Sequence, residues 1–138
     1  MRLDILVFLG AVGAFLTTAL GGWGLGLQVL GILMAIDYVT GVAVAVIFKK
    51  SKKSTDGGFE SRAGLKGLWR KGTMMLVILV AAQIDRLLSM DFFHYGVIVA
   101  FVINEVGSFV ENVELMGVSV PEKLMQAISL LKKKGGQP

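Results

Sequence analysis

Across 138 residues the sequence is 54% hydrophobic and only 17% charged, with a formal net charge of +4 and a mean hydropathy of +0.72. A water-soluble domain carries about 25% charged residues and, at this size, leaves much of its surface wet, so lipid is the expected solvent here. The absence of cysteine and the single histidine, His94, exclude disulfides, thiolate nucleophiles and multi-Cys or multi-His metal sites.

The first apolar run covers residues 5–20, near the lower limit of the about 17–25 residues that cross the hydrocarbon. Arg2, the apolar stretch and Ala19-Leu20-Gly21 also resemble a cleaved leader. Asp4 is unusual in a positively charged leader, and the run is read as a retained span. Gly21-Gly22-Trp23-Gly24 follows as a tight turn, favouring a helical hairpin with the second run, residues 25–48.

That second run carries an intramembrane carboxylate, Asp37, with Gly41 one turn on and Ala45 one turn further. A charge at this depth is expensive, and the three residues share a helix face. Gly41 with Ala45, like Gly10 with Ala14, forms a small-residue stripe that lets helices approach closely in lipid.

Residues 49–72 read as a long basic loop holding Lys49, Lys50, Lys52, Lys53, Arg62, Lys66, Arg70 and Lys71. Within it, residues 59–71 mix Leu65, Leu68 and Trp69 with cations, as in a helix lying on anionic headgroups. All eight cations are candidate headgroup ligands.

The third run, residues 73–90, contains Gln83 and Asp85, and the fourth, residues 92–110, contains Asn104 and Glu105; Ser108, Glu111 and Asn112 follow. Asp85 and Arg86 are adjacent, so they project differently around a helix, and Arg86 is expected to snorkel outward. Trp23, Phe48, Trp69 and the cluster Phe92 to Tyr95 mark the span ends, where amphipathic rings prefer to sit.

Residues 119–138 form a basic amphipathic tail distinct from a transmembrane domain of residues 1–118. Ser119-Val120-Pro121-Glu122 matches a capping box with proline in the first turn. Leu124, Ile128 and Leu131 recur at helical spacing, and Lys132 to Lys134 suit the carboxyl end.

The short turns hold no Lys or Arg. The positive-inside tendency therefore places both termini and the long loop in the cytoplasm, which requires an even number of spans. The expectation is an all-α membrane bundle of about four transmembrane helices.

Asp37 is read first as interhelical glue within one bundle. The alternatives are that Asp37 and Glu105 line the wetted wall of an oligomeric hole, or serve a proton or cation relay. No glycine-rich loop follows a strand, no serine–histidine pair has a partner, and no carboxylates are set for hydrolysis. No catalytic activity, cofactor or metal is expected. The basic loop beside membrane spans needs lipid headgroups, not nucleic acid, to explain it.

Three stretches resemble the toxin secretion/phage lysis holin family, the group containing the clostridial toxin-export holin. They are Ile36-Asp37-Tyr38-Val39-Thr40-Gly41-Val42; Ser61-Arg62-Ala63-Gly64-Leu65-Lys66-Gly67 running into a span that ends Gln83-Ile84-Asp85; and Asn104 through Asn112 with Met116-Gly117-Val118 and Pro121 to Leu124. The likeness covers roughly residues 28–133. It implies a small protein of the bacterial host cytoplasmic membrane that forms homo-oligomers among membrane lipids. Its lesions would release endolysin, or in some relatives a toxin, by passage and without implied direct binding. The competing class is a small ion-coupled transporter or channel subunit using Asp37 and Glu105.

Overall fold

The computed structural model describes residues 2–53, 55–58 and 60–134. Five helices follow in order: α1 Arg2–Ala19, α2 Leu25–Val46, α3 Ser61–Leu88, α4 Phe92–Leu115 and α5 Glu122–Lys134. No strand occurs among the described residues, as the hydropathy pattern predicts.

The bundle is built from α2, α3 and α4, with α4 central, packed most extensively on α2 and next on α3. Each helix contributes one stripe at turn-by-turn spacing. On α2 the stripe is Leu27, Leu30, Met34 and Asp37, continuing to Val44 and Ala45; on α3 it is Met74, Ile78, Ala81, Ala82 and Asp85. On α4 it runs through His94, Ile98, Glu105 and Asn112. Leu27, Leu30, Met34, Met74, Ile78 and Ile98 close the apolar core.

The outer surface is inverted relative to a soluble protein. Leu3, Phe8, Phe15, Val39, Leu76, Val80, Leu87 and Val99 all face outward. Contiguous apolar surface on this scale marks a partner or a membrane. α1 is the extreme case: none of its residues is buried, and it touches the bundle only along α3, where Gln83 Nε2 donates to the Ala19 carbonyl at 2.7 Å.

Three helices, α1, α2 and α4, are long and apolar enough to cross a membrane. The stretch expected as a fourth span, residues 73–90, falls largely in α3, which is not among them: its apolar part is bracketed by Lys71 on one side and Asp85 and Arg86 on the other. The expected loop of residues 49–72 is also corrected. Residues 61–72 are not a separate surface helix but the first half of α3, a continuous helix of 28 residues. Gly64, Gly67 and Gly72 interrupt this stretch without proline, and glycine lowers helix stability without ending a helix held by packing. At ~1.5 Å per residue, α3 extends about 42 Å, beyond the about 30 Å of hydrocarbon.

The α3–α4 turn is tight. Ser89 adopts left-handed backbone (φ 54°), and Met90 N donates to the Asp85 carbonyl at 2.7 Å, closing α3 in the manner of a helix C-cap. Gly21 and Gly22, with φ of 95° and 94°, make the α1–α2 turn. α5 folds onto the end of α4 and buries Ile128, while the Pro121 carbonyl accepts from Leu124 N and Met125 N.

Candidate functional site

The polar residues of the buried stripes meet in two layers, because stripes built on the same helical spacing stack at the same depth when the helices pack. The first layer joins α2, α3 and α4. Lys71 Nζ donates to Asp37 Oδ2 at 2.8 Å and to Glu105 Oε2 at 2.6 Å. Asp37 is 6% exposed and Glu105 2%, while the Lys71 side chain keeps 15% of its surface open. Asn112 extends the network, its Nδ2 donating to Asp37 Oδ1 at 3.0 Å, to the Asp37 carbonyl at 3.2 Å and to Thr40 Oγ1 at 3.0 Å.

One ammonium thus holds two carboxylates from different helices. The charge-assisted bonds offset part of the desolvation cost; an unpaired charge there would be far costlier. The arrangement clamps three helices in one rotational setting.

The second layer lies at the α3–α4 turn. Asp85, 2% exposed, reaches across the turn, its Oδ1 accepting from Phe93 N at 2.9 Å and its Oδ2 from His94 N at 2.8 Å. The carboxylate satisfies free N–H groups at the start of α4 and faces the positive end of its dipole. His94 Nδ1 lies 2.5 Å from Asp85 Oδ2, and the other edge of the ring closes on Gly21, where an added Cβ would sit 3.0 Å from Cδ2 and Nε2.

The predicted positions therefore separate. Asp37 and Glu105 come together, and Asp85 caps α4. Gly41 lies next to Asn112 of α4 and Ala45 is buried, so this stripe packs inside the protomer. Asn104 is exposed and stands apart from Glu105's network. Gln83 ties α3 to α1, and Arg86 pairs weakly with it at 3.5 Å. Lys49, Lys50, Lys52, Lys53, Arg62, Lys66 and Arg70 are exposed, whereas Lys71 is largely buried; its assignment as a headgroup ligand is corrected by its place in the triad.

Asn112 and His94 had no assigned role in the network, and Lys71 had been assigned to headgroups. Lys71 stands three and seven residues before the core residues Met74 and Ile78, and Asn112 stands seven after Glu105. Both spacings put the residue on the buried face, a signal present in the sequence.

Beyond the triad a cavity of about 130 Å³ opens between α2, α3, the 47–60 connection and the end of α4. No cluster of three or more potential metal ligands exists among the described residues.

The model of the bacteriophage holin family matches residues 14–133. The chain is 35% identical over 126 residues to an uncharacterized 14.9 kDa protein in the nagH 3′ region of Clostridium perfringens, covering 90% of this chain and 89% of that protein. An uncharacterized protein of Halalkalibacterium halodurans is 34% identical, covering 81% and 82%. A probable holin of Bacillus phage phi105 is 27% identical over 112 residues, covering 80% and 77%. No solved structure matches the chain.

Proposed function

The chain belongs to the bacteriophage holin family, and from that premise we propose that it permeabilises the bacterial cytoplasmic membrane. Copies associate in the bilayer and open lesions through which an endolysin, or in some settings a toxin, crosses. The observation that carries this reading is an apolar exterior around a bundle whose buried charges are satisfied internally. Such a protomer is stable and inert in lipid while dispersed.

A single bundle fills its centre with side chains, here Leu30, Ile78 and Glu105 among them, so a hole wide enough for a folded enzyme requires several copies. α1 supports association: nothing lies within 4 Å of a Cβ added at Gly10, leaving the Gly10–Ala14 face open for a close helix contact.

In this reading α3 is the fourth span, with Lys71 and Asp85 turned onto α2 and α4 and away from lipid. Four spans place both termini and the basic 47–60 connection in the cytoplasm. We assign no catalytic residue. The transporter reading is less favoured because Lys71 hydrogen-bonds both Asp37 and Glu105 and offsets one of their two charges.

The experiment is inducible expression together with a soluble endolysin. Abrupt lysis with release of a cytoplasmic enzyme is expected. Passage of small solutes alone would point to a transporter, and intact, energised cells at high expression would end the proposal.

A further inference from the structure

The mouth of the cavity beyond the triad carries charge that the triad does not use. Of the four cations lining it, Lys71 is held by Asp37 and Glu105, and Lys52 pairs with Glu111 at 3.3 Å. Lys53 and Arg70 also line the cavity, and among the described residues neither pairs with a carboxylate. The lining also carries the carboxylate of Glu60, whose Oε1 accepts from the Thr55 amide and hydroxyl at 3.1 and 3.0 Å.

We propose that this cavity seats the phosphate of an anionic phospholipid headgroup, gripped by Lys53 and Arg70. The guanidinium fork matches two phosphate oxygens, and the lysine adds a point charge. Basic pockets between transmembrane helices at the cytoplasmic side bind such headgroups.

Shape agrees with chemistry. The α3 wall includes Ala63, Gly64 and Gly67, small residues that leave the space; a Cβ at Gly67 would come only within 3.9 Å of Tyr38 Cε2. At about 130 Å³ the space takes a phosphate group and not an acyl chain. The chains have their own surface: Leu65, Leu68 and Trp69, on the same stretch of α3, are 67%, 51% and 79% exposed. A phosphate in the cavity and apolar contacts beside it are the two halves of one lipid, which distinguishes this site from one for a free anion. The inference rests on the membrane reading above.

The test is native mass spectrometry of the full chain in detergent, titrated with phosphatidylglycerol, phosphatidylcholine and, separately, inorganic phosphate. One phosphatidylglycerol per chain is expected, in preference to phosphatidylcholine. Lys53→Gln and Arg70→Gln should each weaken it about fivefold, and Gly67→Leu, which fills the space and leaves every charge in place, should abolish it. Lys132→Gln/Lys133→Gln, with the same change in net charge as Lys53→Gln and Arg70→Gln combined, should leave it unchanged.

Equal loss in the tail variant would reduce the effect to diffuse attraction and overturn the site. Full displacement by millimolar phosphate would overturn the lipid assignment. A chain that partitions into membranes yet shows no preference refutes this inference alone, whereas one that fails to partition refutes the membrane reading itself.

Discussion

Replacing Lys71 by methionine removes the ammonium and keeps most of the side-chain volume. Asp37 and Glu105 then face each other across α2 and α4 with no countercharge, at 6% and 2% exposure. Breaking a buried ion pair by deleting one partner costs about 3–5 kcal/mol. Lys71 is not fully enclosed, with 15% of its side chain open, so water can relieve part of this and the lower end, about 3 kcal/mol, is expected. That corresponds to roughly two orders of magnitude in the folded-to-unfolded ratio.

The assay is denaturant unfolding of the purified chain in detergent, followed by helical circular dichroism. The triple variant Lys71→Met/Asp37→Asn/Glu105→Gln removes all three charges and should recover most of the loss, because neutral replacement of a buried cluster is often harmless. If Lys71→Met unfolds like the parent, or if the triple variant is no better than the single one, the triad does not clamp the bundle.

Asp85→Ala should destabilise by about 1–2 kcal/mol through loss of the α4 cap, with Asp85→Asn milder, in the same unfolding assay; equal stability of all three would remove the cap from the account. Gly21→Ala meets a left-handed backbone (φ 95°) and a His94 ring 3.0 Å away, so a penalty of about 1–2 kcal/mol is expected, whereas Gly10→Ala meets open space and should cost nothing. Single cysteines at Ser51, Ser89 and Lys123, probed with a membrane-impermeant maleimide in intact cells, should label only at Ser89. Labelling at Lys123 from outside would mean that α3 does not cross.

The resemblance to holins was legible in the spaced stretches around Asp37, Ser61–Gly67 and Asn104–Asn112. So were the helical class, the α1–α2 and α3–α4 turns, and the burial of Asp37 and Glu105. Less legible was α3. Its basic half reads as a loop because hydropathy changes sharply at Lys71–Thr73, yet the backbone has no proline or turn there and the helix runs through. The small-residue face of Gly41 and Ala45 was visible, but its partner was not: Gly41 packs beside Asn112 of the same chain.

Membrane character follows from the amino-acid order alone, since hydropathy is a sum over neighbouring residues and needs no knowledge of how helices turn toward each other. Pairing of the charges is a different kind of quantity. Lys71 is separated by 34 residues from both Asp37 and Glu105, and only the rotation and depth of three packed helices bring the groups within 3 Å. A carboxylate in a greasy run announces that it must be satisfied, because leaving it bare in hydrocarbon is too costly. Which side chain satisfies it is decided by the tertiary packing, and that choice turned two apparent ion sites into an internal clamp.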